Sequence, residues 1–300
     1  MSPSVSTKGL LNLIVVYLVW GSTYLFIRLT VQEGSGFPPF AMAAGRTLCA
    51  SAILFGLAIL LGHRLRLMGP DLRVLLLSGV LLWVGGNGLV VWAERHADSG
   101  YAALVIGTTP MWPVIMESLL EHKPPSLLLA LSLLVGFSGL AVLVTPVIIQ
   151  GLGLDVSSTA ALLAAAMAWS GGSLLMQRRP PQTTTILISA YQHLFGGLGL
   201  GGIMLITGEP WPQPTITAWL GWAYLVTFGS LISFTSFLVA VRTLPISLVM
   251  TYAYINPVIA VLLGWLVLGE RITSTTVIGT ALIFIGVSGV FWKRFTNNSG

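Results

Sequence analysis

The sequence predicts an all-α membrane protein of ten transmembrane helices, built as two inverted five-helix repeats around a central cavity. Three observations predict it. The composition is too apolar for water, apolar stretches of membrane-spanning length recur along the chain, and its two halves resemble each other.

Hydrophobic residues make up 55% of the 300 positions and charged residues only 8%. A soluble domain carries about 25% charged residues. With a mean hydropathy of +0.90 the chain cannot cover itself with a water-compatible surface, so the lipid bilayer is its expected solvent. The 34 glycines suit helices that pack closely in a membrane. The net charge of +5 comes from basic residues in short loops, without the long basic run of a nucleic-acid binder. Cys49 is the single cysteine and can form no intrachain disulfide. No Cys/His metal spacing, phosphate loop or paired-carboxylate motif is present, so no metal or cofactor is expected.

A helix needs about 20 apolar residues to cross the hydrocarbon core. The spans expected are 9–29, 37–61, 72–92, 99–120, 126–146, 157–177, 184–206, 218–241, 244–267 and 273–292. Breakers separate them: Phe37-Pro38-Pro39, Gly69-Pro70, Pro124-Pro125, Pro180-Pro181, and Pro210, Pro212 and Pro214. The first run is too long for the core of a signal peptide and no small-residue cleavage site follows it, so it reads as the first span. With the N-terminus inside, the inner segments hold Lys8, Arg64, Arg66, Arg73, Lys123, Arg178, Arg179, Arg242, Lys293 and Arg294, and the outer loops only Arg95 and Arg271. That bias places both termini in the cytoplasm.

The repeat has a period near 149. Trp20-Gly21-Ser22 matches Trp169-Ser170-Gly171, Arg46 matches His193, and Pro110 matches Pro257. Gly136-Phe137-Ser138-Gly139 matches Gly286-Val287-Ser288-Gly289. The repeats are placed at 9–146 and 157–292. Each holds an odd number of spans, so the second copy enters the membrane upside down. Two halves of opposite sense can open a central site to one side and then the other, which is the architecture of a transporter.

Aromatic and polar residues recur at helical spacing within the spans. Tyr17, Trp20 and Tyr24 share a face, Trp83 and Asn87 lie one turn apart, and Tyr101, Thr108 and Trp112 share another face. Trp169 precedes Ser173 and Met176, and span nine carries Tyr252, Tyr254 and Asn256. Tyr17, Tyr101, Trp219 and Trp222 read equally as interfacial anchors. Trp20, Trp83 and Trp169 sit nearer mid-span and read as cavity lining. Charge within a span is costly, which singles out Arg46 and His193; Glu117 and Arg28 lie near span ends, within reach of headgroups. Asn87, Gln192 and Asn256 can bond to a polar substrate or to a neighbouring helix.

Gly197 and Gly201 form a GxxxG spacing that predicts backbone contact between spans three and seven. Gly85-Gly86-Asn87-Gly88 is no phosphate loop, because no strand precedes it and no Lys-Ser/Thr follows. Gly-x-Ser-Gly with a distant His resembles the Ser–His dyad of an intramembrane serine protease. It occurs twice, at Ser138 and Ser288, against one mid-span His, and small residues at a helix crossing explain both copies.

Val19-Trp20-Gly21-Ser22-Thr23-Tyr24 and Ala44-Gly45-Arg46 carry a family likeness. So do the Pro110 and Pro257 segments, each followed by an acid (Glu121, Glu270), and Gly269-Glu270-Arg271-Ile272 through Gly286-Val287-Ser288-Gly289-Val290. Over about residues 9–294 the chain resembles the EamA-type transporters of the drug/metabolite transporter superfamily, and most of all bacterial amino-acid exporters, the aromatic group included. The resemblance implies inverted five-plus-five repeats around a cavity and export of small metabolites, not enzyme catalysis. The expected function is alternating-access export of amino acids, aromatic and other neutral ones included, from the cell across the inner membrane. Trp20, Tyr24, Trp83, Trp112 and Trp169 would enclose the substrate side chain, Arg46 and Asn87 would meet its carboxylate, and His193 would contact substrate or sense protonation. Export of cationic drugs or other metabolites is the alternative, disfavoured by the scarcity of intramembrane acids.

Overall fold

The computed structural model describes residues 6–31, 34–93, 102, 105–149, 156–268 and 272–296. Its long helices are α1 (Thr7–Val31), α2 (Pro39–Leu60), α3 (Gly69–Ala93), α4 (Met111–Glu121), α5 (Leu127–Ile149), α6 (Val156–Arg178), α7 (Thr185–Thr207), α8 (Ile216–Thr243), α9 (Tyr252–Leu268) and α10 (Ser274–Thr296). No strand occurs among the described residues. Six helices there are long and apolar enough to cross a membrane: α2, α3, α6, α7, α8 and residues Ser274–Trp292 of α10. Leu127–Leu143 and Ile246–Ile259 are shorter apolar stretches.

Local chemistry sets the helix ends. Pro38-Pro39 opens α2, where a missing N–H is harmless and the fixed φ favours the first turn. The free amides of that turn find a remote partner, with Phe40 N–H donating to Glu209 Oε1 (3.2 Å) and Ala41 N–H to Oε2 (2.9 Å). A carboxylate here also complements the positive end of the helix dipole. Glu209→Ala is expected to destabilise the protein by about 1 kcal/mol, read as a lowered melting point in detergent; an unchanged melt would show that water replaces the cap. Thr184 and Thr215 cap α7 and α8 through their own side chains.

The surface is inverted relative to a soluble protein. Leu60, Leu205, Ile206, Leu220 and Ile285 are exposed, whereas Arg46, Ser51, Ser78, Ser170, Gln192, His193 and Ser230 are buried. An apolar exterior of this extent needs lipid against it.

Helices pair across the two halves of the chain. α2 packs along α7 and α5 along α10. α1 packs on α8, and in the matching arrangement α6 packs on α3; α1 also meets α9 as α6 meets α4. The α5–α10 contact is backbone to backbone. A Cβ on Gly286 would strike Gly136 N, and one on Gly139 would lie 2.7 Å from Gly279 O. The Gly-x-Ser-Gly motifs thus turn their glycines inward. Ser138 faces out and donates to Leu134 O (2.9 Å), and Ser288 is likewise exposed, so neither is held by a histidine.

One expected contact is corrected. Gly197 faces Thr47 and Leu48 of α2, and Gly201 has Ala44 of α2 as its neighbour, so this GxxxG face meets span two and not span three. The contact with α3 is made by Gly196 and Gly199, which face Trp83 and Val84. Each residue turns a helix by about 100°, so adjacent glycines serve different neighbours.

Two departures from regular α-helix were not legible in the spacing. Val80–Gly88 within α3 and Leu225–Ser233 within α8 are π-helical. Such widened segments free backbone carbonyls and concentrate at functional sites. The segments expected as spans four and nine are also interrupted, by a turn at 107–110 before α4 and by a turn at 250–251 between the short helix Ile246–Val249 and α9.

Candidate substrate site

The two π-helical segments and the break before α9 converge on one aromatic cluster. Trp20 of α1 reaches α8, where its Nε1–H donates to Gly229 O (3.1 Å) in the π-helical segment. Its ring lies 4.9 Å from Tyr252, 5.1 Å from Phe237 and 5.6 Å from Trp169. Trp169 of α6 rests edge-on to Trp83, at 6.3 Å, and against Gly86 in the π-helical segment of α3. The two tryptophans matched across the halves therefore each lean on the other half's π-helical segment. Trp83 lies 4.6 Å from the His193 ring and 5.1 Å from Phe234. The rings expected to wall a cavity pack against one another.

The polar groups of the cluster are few and largely unpaired. Arg46 is buried, with Nε donating to Ser230 Oγ (2.8 Å) and Cζ 5.5 Å above the Trp83 ring. No carboxylate among the described residues pairs with it. Its guanidinium is braced by a hydroxyl and an aromatic face, with two Nη groups left over. His193 places Nδ1 2.8 Å from Ser189 O, so Nδ1 carries the proton and donates to that carbonyl. Its Nε2, buried, has no partner, and neither do Trp83 Nε1 and Trp169 Nε1. An unpaired buried polar group costs about 1–3 kcal/mol, and three gathered beside an unpaired cation mark a site shaped for something else.

The structure brings together Trp20, Arg46, Trp83, Trp169 and His193 of the expected site residues. Asn87 lies one turn along α3, half-buried and without a side-chain hydrogen bond. Trp112 stands apart from the rings and donates from Nε1 to Thr108 Oγ1 (3.0 Å), bracing the turn before α4. Tyr24 is on α1, but its side chain lies outside the described residues, as do Tyr101, Arg95, Glu270 and Arg271 and the side chain of Arg28. Gln192 bonds through Nε2 to Ser78 Oγ (2.7 Å) of α3, an interhelical use. Asn256, with its amide turned to suit its neighbours, donates to Tyr252 O (3.1 Å) and Tyr17 O (3.2 Å). Tyr17 OH meets Thr251 Oγ1 at 2.5 Å and ties α1 to the break before α9. Sequence reasoning missed Gly229, Ser230, Phe234 and Phe237 of α8. The Gly229-Ser230 pair and Ser233, small polar residues in the middle of an apolar span, were the available signal.

Comparison with known proteins decides the class. The family model of the EamA-like transporters matches the chain twice, over residues 7–145 and 157–292. The chain belongs to the EamA-like transporter family. Among its relatives, an uncharacterized inner membrane transporter of Escherichia coli (strain K12), YedA, is 31% identical over 92% of this chain and 88% of its own length. The uncharacterized transporter YoaV of Bacillus subtilis (strain 168) is 22% identical over 96% of this chain and 97% of its own. Protein PecM of Dickeya dadantii (strain 3937) is 25% identical over 89% and 86%. A solved crystal structure superposes with a TM-score of 0.81 at 21% identity, covering 97% of this chain and 99% of that one, and so shares the fold. This EamA-like protein is a membrane transporter and not an enzyme.

Proposed function

We propose that this transporter exports amino acids, aromatic and other neutral ones included, by alternating access. The observation that carries the reading is the buried Arg46 guanidinium, unpaired and seated over Trp83 beside three unpartnered polar groups. A substrate carboxylate supplies the charge and the acceptor oxygens that Arg46 lacks, and guanidinium binds it in a two-pronged geometry. Trp83 Nε1 and Trp169 Nε1 are further donors, and His193 Nε2 is an acceptor suited to an ammonium group. Trp20, Trp83 and Trp169 offer faces to an apolar or aromatic side chain. In this reading Tyr24, Asn87 and Trp112 extend the walls. Export as the direction follows the family resemblance.

The proposed architecture is ten spans in two inverted repeats, 9–146 and 157–292. Three features support it: the matched helix pairs, the matched tryptophans and the two π-helical segments, whose starts at 80 and 225 lie close to one repeat period apart. The distribution of basic residues supports cytoplasmic termini. The E. coli relative, an inner membrane transporter by name, and the apolar exterior support that location. Export of cationic drugs is the weaker reading, because the full charge in the described cluster is itself a cation and repels another.

Counterflow in proteoliposomes tests the substrate class. Vesicles loaded with unlabelled phenylalanine should take up labelled phenylalanine saturably, with threonine competing and a quaternary dication not competing. Transport of the dication with no amino-acid uptake would replace the proposal by drug export.

A further inference from the structure

At one end of the bundle the α2–α3 loop, the α6–α7 loop and the end of α8 border an open recess of about 540 Å³. Its lining includes His63, Arg64 and Arg66 of the α2–α3 loop and Arg242 in the last turn of α8, basic groups far apart in sequence, and Thr183 and Thr184 ahead of α7. Arg64 and Arg66 are exposed and have no ion-pair partner among the described residues. Asp71 is the acid in the lining, and it already accepts from Gln182 N–H (3.3 Å). Arg242 is held against the start of α7, with Nη1 donating to Thr183 O (3.1 Å) and Thr185 Oγ1 (3.5 Å). The α2–α3 loop is held in turn: Tyr191 OH donates to Leu65 O (2.9 Å) and its ring stands edge-on to Phe55.

Positive charge on this side of the membrane serves orientation, but orientation does not require convergence around a concavity. Arg178, at the same end, is paired with Glu121 (2.6 Å). Arg64, Arg66 and Arg242 converge without such a partner. The chain beside the recess offers an apolar rim: Met68, in the lining, is 75% exposed, and Leu60 and Leu61, which lead into the α2–α3 loop, are 85% and 55% exposed. A free inorganic anion gains nothing from that rim, whereas a lipid lays its acyl chains there.

We propose that this recess binds the phosphate headgroup of an acidic phospholipid, with the acyl chains along Leu60, Leu61 and Met68. Guanidinium groups suit phosphate oxygens through paired hydrogen bonds. The N-terminus of the 23-residue α7 adds a favourable dipole at the same place. Basic recesses between helix ends at the membrane surface are suited to such headgroups.

Full-length protein, purified and stripped of lipid, tests this by native mass spectrometry and thermal melting with added phosphatidylglycerol, phosphatidylcholine or inorganic phosphate. Phosphatidylglycerol should stay bound and raise the melting point, while the other two should not. An Arg64→Gln/Arg66→Gln/Arg242→Gln variant should retain it roughly a hundredfold or more weakly, at about one surface-charge contribution per arginine. Arg179→Gln, outside the lining, should retain it as the parent does. Equal stabilisation by phosphatidylcholine, equal binding of inorganic phosphate, or undiminished retention in the triple variant would each overturn the proposal. If the triple variant does not purify, Arg66→Gln alone should show a partial loss, and unchanged retention there overturns it equally.

Discussion

Arg46→Ala is expected to lower phenylalanine counterflow by roughly 10- to 100-fold, the weight of a charge-assisted contact to a carboxylate. The loss should extend in the same proportion to threonine, because the carboxylate is what the two substrates share. Phenethylamine, which keeps the aromatic ring and the ammonium but lacks the carboxylate, should compete no worse against the variant than against the parent. A merely structural arginine would lose all three together, so the comparison separates the roles. Arg46→Lys should recover only part of the activity. Lysine keeps the charge but cannot present a planar fork while also reaching Ser230 and lying over Trp83. If Arg46→Ala transports phenylalanine normally, the carboxylate assignment is lost, and with it the main support for an amino-acid substrate.

The same geometry would give the proposed alternating access a moving part. Arg46 is anchored to Ser230, and Trp20 to Gly229 O, both in the π-helical segment of α8. A change between π and α winding there would shift the hydroxyl and the carbonyl together. Arg46 and Trp20 would move with them, and the ring cluster would part.

Much of this was legible in the sequence, for physical reasons. The positions of spans two, three, six, seven, eight and ten follow from apolar length, and the start of α2 from Pro38-Pro39, all local signals. The repeat alignment paired Trp20 with Trp169 and Arg46 with His193; Trp169, Arg46 and His193 meet around Trp83, and Trp20 joins them through Trp169. What stayed hidden depends on tertiary contacts. A π-helical segment of nine residues leaves no periodic trace when its residues are nearly all apolar, as in Val80–Gly88. Ser230 looks like a filler hydroxyl until Arg46 is placed beside it. The face that Gly197 presents could not be read from spacing, because small residues line α7 on several sides, at 196, 197, 199, 201 and 202. The bond from Trp112 Nε1 to Thr108 of its own turn could not be read from spacing either.

The second large effect belongs to the α5–α10 seam. Gly286→Ala should destabilise the protein by about 3 kcal/mol, lowering the melting point in detergent and the yield of monodisperse protein. The added methyl would meet Gly136 N and Cα and lie 2.7 Å from Ser132 O. All three belong to backbone, so no side chain can rotate away and the helices themselves must separate. Gly56→Ala is the matched control. It replaces an exposed helical glycine with nothing within 4 Å of the new methyl, and should be neutral or gain up to about 1 kcal/mol from helix propensity. Equal melting of the two variants would mean that the seam opens at little cost. α5 and α10 would then be mobile partners during transport and not the fixed spine that their backbone contact implies. A large loss at Gly286 with none at Gly56 would instead assign the moving parts to the helices that carry the breaks: α3 and α8 with their π-helical segments, and the interrupted spans ending in α4 and α9.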